Sequence, residues 1–168
     1  MKKMIIIFFA FFSITINGCA ETISIAPESK ANAYLAIIED LYNFSDTGDD
    51  MTYIAFDFSK LDSDTKETVI LLAKAFCKEH DQTFLEGTIE ELMEKGYITA
   101  YTFENGSTMA NSFDDGFLIT LEPISSTESE VICKGERWKG SLGAVGFTYT
   151  AIYSDGAWQI STTNFWMA

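Results

Sequence analysis

Apolar positions follow two rhythms along this chain. From Lys30 to Phe44, the residues Tyr34, Ile37, Ile38, Leu41 and Phe44 recur three or four apart. That spacing predicts a helix with one buried face. Thr52 to Phe58 alternates instead. Ile54, Phe56 and Phe58 point one way, and Tyr53, Ala55 and Asp57 the other, which predicts a strand with two usable faces. Helical spacing returns from Asp64 to His80, with Val69, Leu72, Ala73 and Phe76 as the buried stripe. Asp64 and Glu67 have the spacing of a capping box at its start. Gln82 to Leu85 reads as a short strand. A third helix is marked by Thr88 and Glu91 as a capping box, with Gly96 as its left-handed stop.

Beyond Gly96 the period changes to two. Tyr97–Phe103, Gly116–Ile124, Glu130–Arg137, Gly146–Tyr153 and Trp158–Thr163 read as strands. Asn105-Gly106, Asp115-Gly116 and Asp155-Gly156 are turn dipeptides between them, and Ser107 to Ser112 reads as an irregular excursion. Early helices and late consecutive strands predict an α+β fold. The expected architecture has N-terminal helices packed on one face of a C-terminal antiparallel β-sheet of about four to five strands. The other face would stay open. Phe165, Trp166 and Met167 are expected to pack, since an exposed aromatic tail invites aggregation.

The first residues belong to a different plan. Lys2 and Lys3 precede the apolar run Met4–Phe12, and Ser13–Gly18 is small and polar. This is the order of a secretory signal, and the run is too short to span a bilayer, which takes about 20 residues. Ile16-Asn17-Gly18-Cys19 resembles the lipobox of bacterial lipoproteins, with an aliphatic residue three before the cysteine and a small residue just before it. The resemblance implies cleavage before Cys19, acylation of that cysteine and a membrane-anchored protein facing out of the cytoplasm. Ala20, in place of aspartate, would permit sorting to the outer membrane of a cell that has one. Asn17 departs from the usual residue at its position. The expected organisation is a signal peptide at 1–18, a lipidated cysteine and tether at 19–29, and one domain at 30–168.

Composition sharpens what the mature domain can bind. The whole chain carries 11 basic and 25 acidic residues, a net charge of −14. Removing residues 1–18 takes away two lysines and leaves −16. Such a surface repels nucleic acid and favours a basic partner. Fourteen phenylalanines, seven tyrosines and three tryptophans supply a core and exclude a disordered chain. Besides Cys19 there are only Cys77 and Cys133. Export permits a disulfide between them, and two buried thiols are the alternative. No Cys/His cluster has metal-ligand spacing, so neither a metal nor another cofactor is expected.

Catalytic signals are weak on chemical grounds. Asp46, Asp49 and Asp50 surround Gly48 but lack EF-hand spacing. Asp114 and Asp115 are adjacent, so their carboxylates diverge from a strand. Cys77 and His80 are three apart on one helix, yet Glu79 and Asp81 flank the histidine and oppose a thiolate. Lys139–Gly146 contains G-x-x-G-x-x-G, which is not a dinucleotide fingerprint and lies between strands. Arg137, Trp138 and Lys139 flank this loop as a basic and aromatic patch. With Asp57, which sits inside an otherwise apolar strand, they are the candidate binding surface.

Asp155-Gly156-Ala157-Trp158-Gln159-Ile160 resembles the D-G-x-W-x-I hairpin of NTF2-like and cystatin-like proteins. That resemblance covers six residues and the order of elements. It implies helices on a curved sheet whose concave face takes ligands or partners, and it transfers no catalytic residue. The reading that follows is a non-enzymatic, membrane-tethered binding domain for a basic extracytoplasmic protein, of the inhibitor or immunity kind. The alternative is a small-ligand carrier or enzyme using the concave face.

Overall fold

The computed structural model describes residues 25–44 and 51–168. Cys19 and the acidic residues Asp46, Asp49 and Asp50 lie outside them. Three helices and eight strands follow in the order α1 (Lys30–Asn43), β1 (Tyr53–Asp57), α2 (Ser63–Glu79), β2 (Thr83–Glu86), α3 (Ile89–Glu94), β3 (Thr99–Thr102), β4 (Thr108–Ser112), β5 (Gly116–Ser126), β6 (Glu130–Trp138), β7 (Ala144–Ser154) and β8 (Ala157–Met167). The class is α+β.

Each helix begins where a side chain satisfies its orphan amides. The Ser29 hydroxyl accepts from Ala31 N at 3.4 Å. For α2 the cap is Asp62, two residues before the Asp64 expected from spacing, and its carboxylate accepts from Thr65 N at 3.0 Å. Those bonds from Thr65 hold the Asp62 carboxyl below its ordinary range. Thr88 and Glu91 close a full capping box on α3, and Gly96 leaves that helix at φ 79°.

The sheet departs from the expected one. It has six strands in the order β2-β1-β5-β6-β7-β8, and it is mixed. β1 lies between β2 and β5 and runs parallel to both, with Ala55 opposite Leu85 on one side and Leu118 on the other. β5 to β8 form an antiparallel meander. The reason lies in β1 itself. Ile54, Ala55 and Phe56 are all fully buried, so the strand needs cover on both faces. Its connection to β2 runs through α2, and a helical crossover joins parallel strands. β3 and β4 form a separate two-stranded unit, so the segment Ser107–Ser112 is largely strand and not an irregular excursion.

Alternation along the strands builds two cores. Ile54, Phe56, Phe117, Ile119, Leu121, Val131, Cys133, Tyr149 and Ala151 meet Tyr34, Ile37, Ile38, Leu41, Val69, Ala73 and Phe76 of α1 and α2. On the opposite face Ala55 and Leu118 meet Leu92, Ile98 and Phe113. The helices therefore divide between the faces, and α3 with its neighbours covers part of the face expected to be open. The remainder is mostly polar: Thr120, Glu122, Lys134, Glu136, Thr148 and Thr150 are half-buried or exposed, with Lys134 Nζ 3.2 Å from Glu122 Oε2, and Ile132 and the exposed Ile152 share that face. The Asp155-Gly156 turn forms as expected. Both residues have positive φ, at 54° and 81°, which fits the primed turn of a two-residue hairpin. Trp158, just beyond, is buried.

One carboxyl in the helical layer makes stability depend on pH. Burial pushes Glu39 of α1 up to about 7 from an ordinary 4.5, and the Glu79 carboxylate adds to the shift. Between those values the native state keeps a proton that the unfolded chain has released. Stability is thus fully present below about 4.5 and falls as pH rises through about 7. Glu39→Gln is expected to be more stable than the parent by about 1–2 kcal/mol near pH 8, after allowance for solvent screening. The two should coincide near pH 4. Urea denaturation at both pH values checks this, and equal midpoints near pH 8 would contradict it.

Candidate functional site

β6 sends successive side chains to opposite faces, and this separates the basic and aromatic patch. Arg137 turns into the larger core and is 5% exposed. Its guanidinium stands 4.2 Å over the Phe117 ring, and Nη1 donates to the Tyr42 carbonyl at 3.4 Å. Burial pulls its pKa down. Trp138 goes to the other face and packs half-buried against the smaller core. Lys139 Nζ lies 3.2 Å from Met51 Sδ. Arg137 therefore braces α1 against the sheet, and Arg137, Trp138 and Lys139 do not share one surface.

Asp57 ends β1 on the face of Ala55. In register across the sheet stand Asp57, Thr120 of β5, Glu136 of β6 and Gly146 of β7. Asp57 also lines a cleft of about 260 Å³ beyond the carboxyl ends of β1 and β2, together with Ser59, Lys66, Glu86, Thr88 and Glu91. Ligands of parallel α/β sheets often bind at such ends. Here the polar groups are already engaged. Lys66 Nζ pairs with Glu86 at 2.8 Å, Asp57 Oδ1 accepts from Ser59 N at 2.9 Å, and Glu91 Oε2 accepts from Thr88 N at 3.1 Å. Elsewhere on the row, burial raises the Glu136 carboxyl, helped by Glu122 and opposed by Lys134.

The remaining chemical candidates resolve into structural roles. Cys77 and Cys133 are separate buried thiols in the larger core. Burial pushes both up to about 12, the reverse of what a nucleophile requires. The His80 ring lies tilted against those of Tyr42 and Phe76, each at 4.5 Å between centroids. Asp114 accepts from the Ser112 hydroxyl at 2.6 Å, while the Asp115 carbonyl receives the amides of Thr52 and Tyr53. Among the described residues no group of three or more His, Cys, Asp or Glu side chains is placed to hold a metal. None of the described helices is long and apolar enough to cross a membrane.

The glycine-rich loop has a mechanical task. Lys139 N donates to Gly143 O at 2.8 Å, Ser141 N to Asn111 O at 3.0 Å, and Phe113 N to Lys139 O at 2.8 Å. Gly140 pairs with Ser112, where an added Cβ would come within 3.0 Å of the Asn111 carbonyl. The loop therefore grips the base of the β3–β4 hairpin. Its apex, Leu142, is 91% exposed.

That hairpin is the feature sequence reasoning missed. Every residue of β3 is exposed, and β4 is exposed at three of five positions. Tyr101 pairs across from Met109 and meets Phe103 edge to face at 5.0 Å. All three are exposed. Ala110 turns the other way, onto the smaller core. The result is a projecting arm with an apolar outer face, and Glu104 is its one side chain charged at neutral pH between Thr99 and Ser112. The signal was present: Asn105-Gly106 sits between two alternating runs, Thr99–Phe103 and Thr108–Ser112.

Compared with known protein families, curated proteins and solved structures, the chain matches none.

Proposed function

We propose that this chain is a lipid-anchored envelope protein whose domain binds a basic extracytoplasmic protein without catalysing a reaction, as an inhibitor or immunity-type protein would. The β3–β4 arm is the observation that carries this reading. A two-stranded hairpin in water is marginally stable, yet this one presents Tyr101, Phe103 and Met109 to solvent. Such an element gains from a partner with an apolar slot, and tyrosine is common among binding hot spots. The acidic body would steer a cationic partner onto it. A tether at Cys19 fits this geometry. Arg137 holds the C-terminal end of α1 beside the loop that grips the arm. The chain enters α1 at Ser29, about 20 Å away along a 14-residue helix.

The test uses the full chain in the membrane of intact cells. A photo-cross-linking residue is placed at Tyr101 or Phe103, and at Glu128, an exposed position between β5 and β6, as a control. The expected result is one saturable adduct from the arm positions only, weakened by salt, with a protein of basic composition. Adducts indistinguishable from those at Glu128 would defeat the proposal. A second reading, a small-ligand carrier, is favoured by the cleft at Asp57, although its volume lies below the usual range of ~300–1,000 Å³. Loss of the arm adduct on Asp57→Asn would favour that cleft over the arm.

A further inference from the structure

The two edges of the main sheet are built differently. β2 has four residues, and its last, Glu86, is tied to Lys66. β8 has 11 residues, and no strand pairs with its outer edge among the described residues. Proteins usually blunt an edge with charge, proline, shortness or a bulge. From Ala157 to Met167 there is no charged residue and no proline, in a chain with 25 acidic side chains. The one device present is the irregularity at Asn164, where φ is 52° and the register with β7 shifts. It leaves the stretch from Ala157 to Thr163 regular.

We infer that this edge pairs with a second copy of the chain, antiparallel about a two-fold axis at Ile160. Pairing centred there uses the whole regular stretch. Ala157 meets Thr163 of the second copy, Trp158 meets Thr162, Gln159 meets Ser161, and Ile160 meets Ile160. Charge selects this occupant. A highly acidic molecule can approach its own copy closely only along a strip without charge, and β8 supplies one 11 residues long. Antiparallel pairing also keeps the two Asp155 turns at opposite ends of the seam. Ile160 is half-buried and leans on the larger core. A facing Ile160 would extend that apolar layer across the axis, joining two six-stranded sheets into one of 12.

Two measurements decide the matter on the full chain in neutral detergent. Sedimentation over roughly a hundredfold range of concentration should show a dimer that dissociates on dilution. Ser161→Lys combined with Thr163→Lys, both at exposed positions, should leave a monomer with an unchanged circular dichroism spectrum. Independently, Ile160→Cys should give a disulfide-linked dimer on mild oxidation, since its two copies face each other. Parental chain and Asn105→Cys should give none under the same oxidant. A parental chain that stays monomeric throughout overturns the inference. So does a dimer that survives both lysines, or that cross-links through Asn105→Cys and not through Ile160→Cys. The arm plays no part in this seam, so loss of the arm adducts would leave the dimer standing, and the reverse.

Discussion

Phe117→Ala is expected to lower the unfolding free energy by about 3–5 kcal/mol, a large share of what a domain of this size possesses. Phe117 is the second residue of β5, is fully buried and faces the larger core. Tyr42 of α1 lies 6.1 Å from its ring, and the Arg137 guanidinium covers it at 4.2 Å. Truncation leaves a cavity under a buried cation that loses its aromatic face. The two losses are separable. Phe117→Leu keeps most of the volume and removes the ring, so it should cost about 1–2 kcal/mol. Urea denaturation followed by circular dichroism reads both. If leucine proved as damaging as alanine, the aromatic face rather than the volume would dominate.

Gly135→Val is expected to be comparably harmful, at about 3 kcal/mol or more. Gly135 sits mid-strand in β6, on the face that receives α1. A Cβ there would stand 2.8 Å from Tyr149 Cε2 and 3.0 Å from Leu41 Cδ1. Both neighbours are fully buried, and the Tyr149 hydroxyl donates to Asp40 at 2.9 Å. Neither can step aside without lifting α1 from the sheet. Gly143→Ala makes the control. It lies in the exposed loop, where the nearest atoms to an added Cβ are 3.7 Å away. Its midpoint should shift by less than about 0.5 kcal/mol. Thermal and urea unfolding compare the pair, and a tolerated valine at 135 would mean that α1 packs less tightly than its geometry states.

The helices and most strands were legible because their signals are local. Thr88, Glu91 and Gly96 mark α3 within nine residues, and Asp155-Gly156 marks its hairpin. The pairing of β1 was not legible in the same way, since nothing between Tyr53 and Asp57 names β5 as its neighbour. Its two apolar faces were the clue, read as versatility when they meant burial on both sides. Arg137 shows a related limit. Its place beside Trp138 suggested a shared patch, but strand alternation sends neighbours apart. The tail shows the opposite error: Phe165, Trp166 and Met167 are 55%, 41% and 71% exposed, not packed. Phe165 stays near Phe44 and Phe147, and Trp166 rests over Gly146, so both have company without cover.

The placement of β1 has a consequence for when the chain can fold. Its partner β5 begins 63 residues later, at Gly116 opposite Tyr53. The contacts from β5 to β8 are sequential hairpins, quick to close, whereas the β1–β5 seam must wait for a long loop to be gathered. A chain made or exported from its N-terminus would present Ile54, Ala55 and Phe56 before the strand that shelters them exists. Until then this inner strand of the future sheet is an unprotected apolar segment, and a holding chaperone would have its most useful task there.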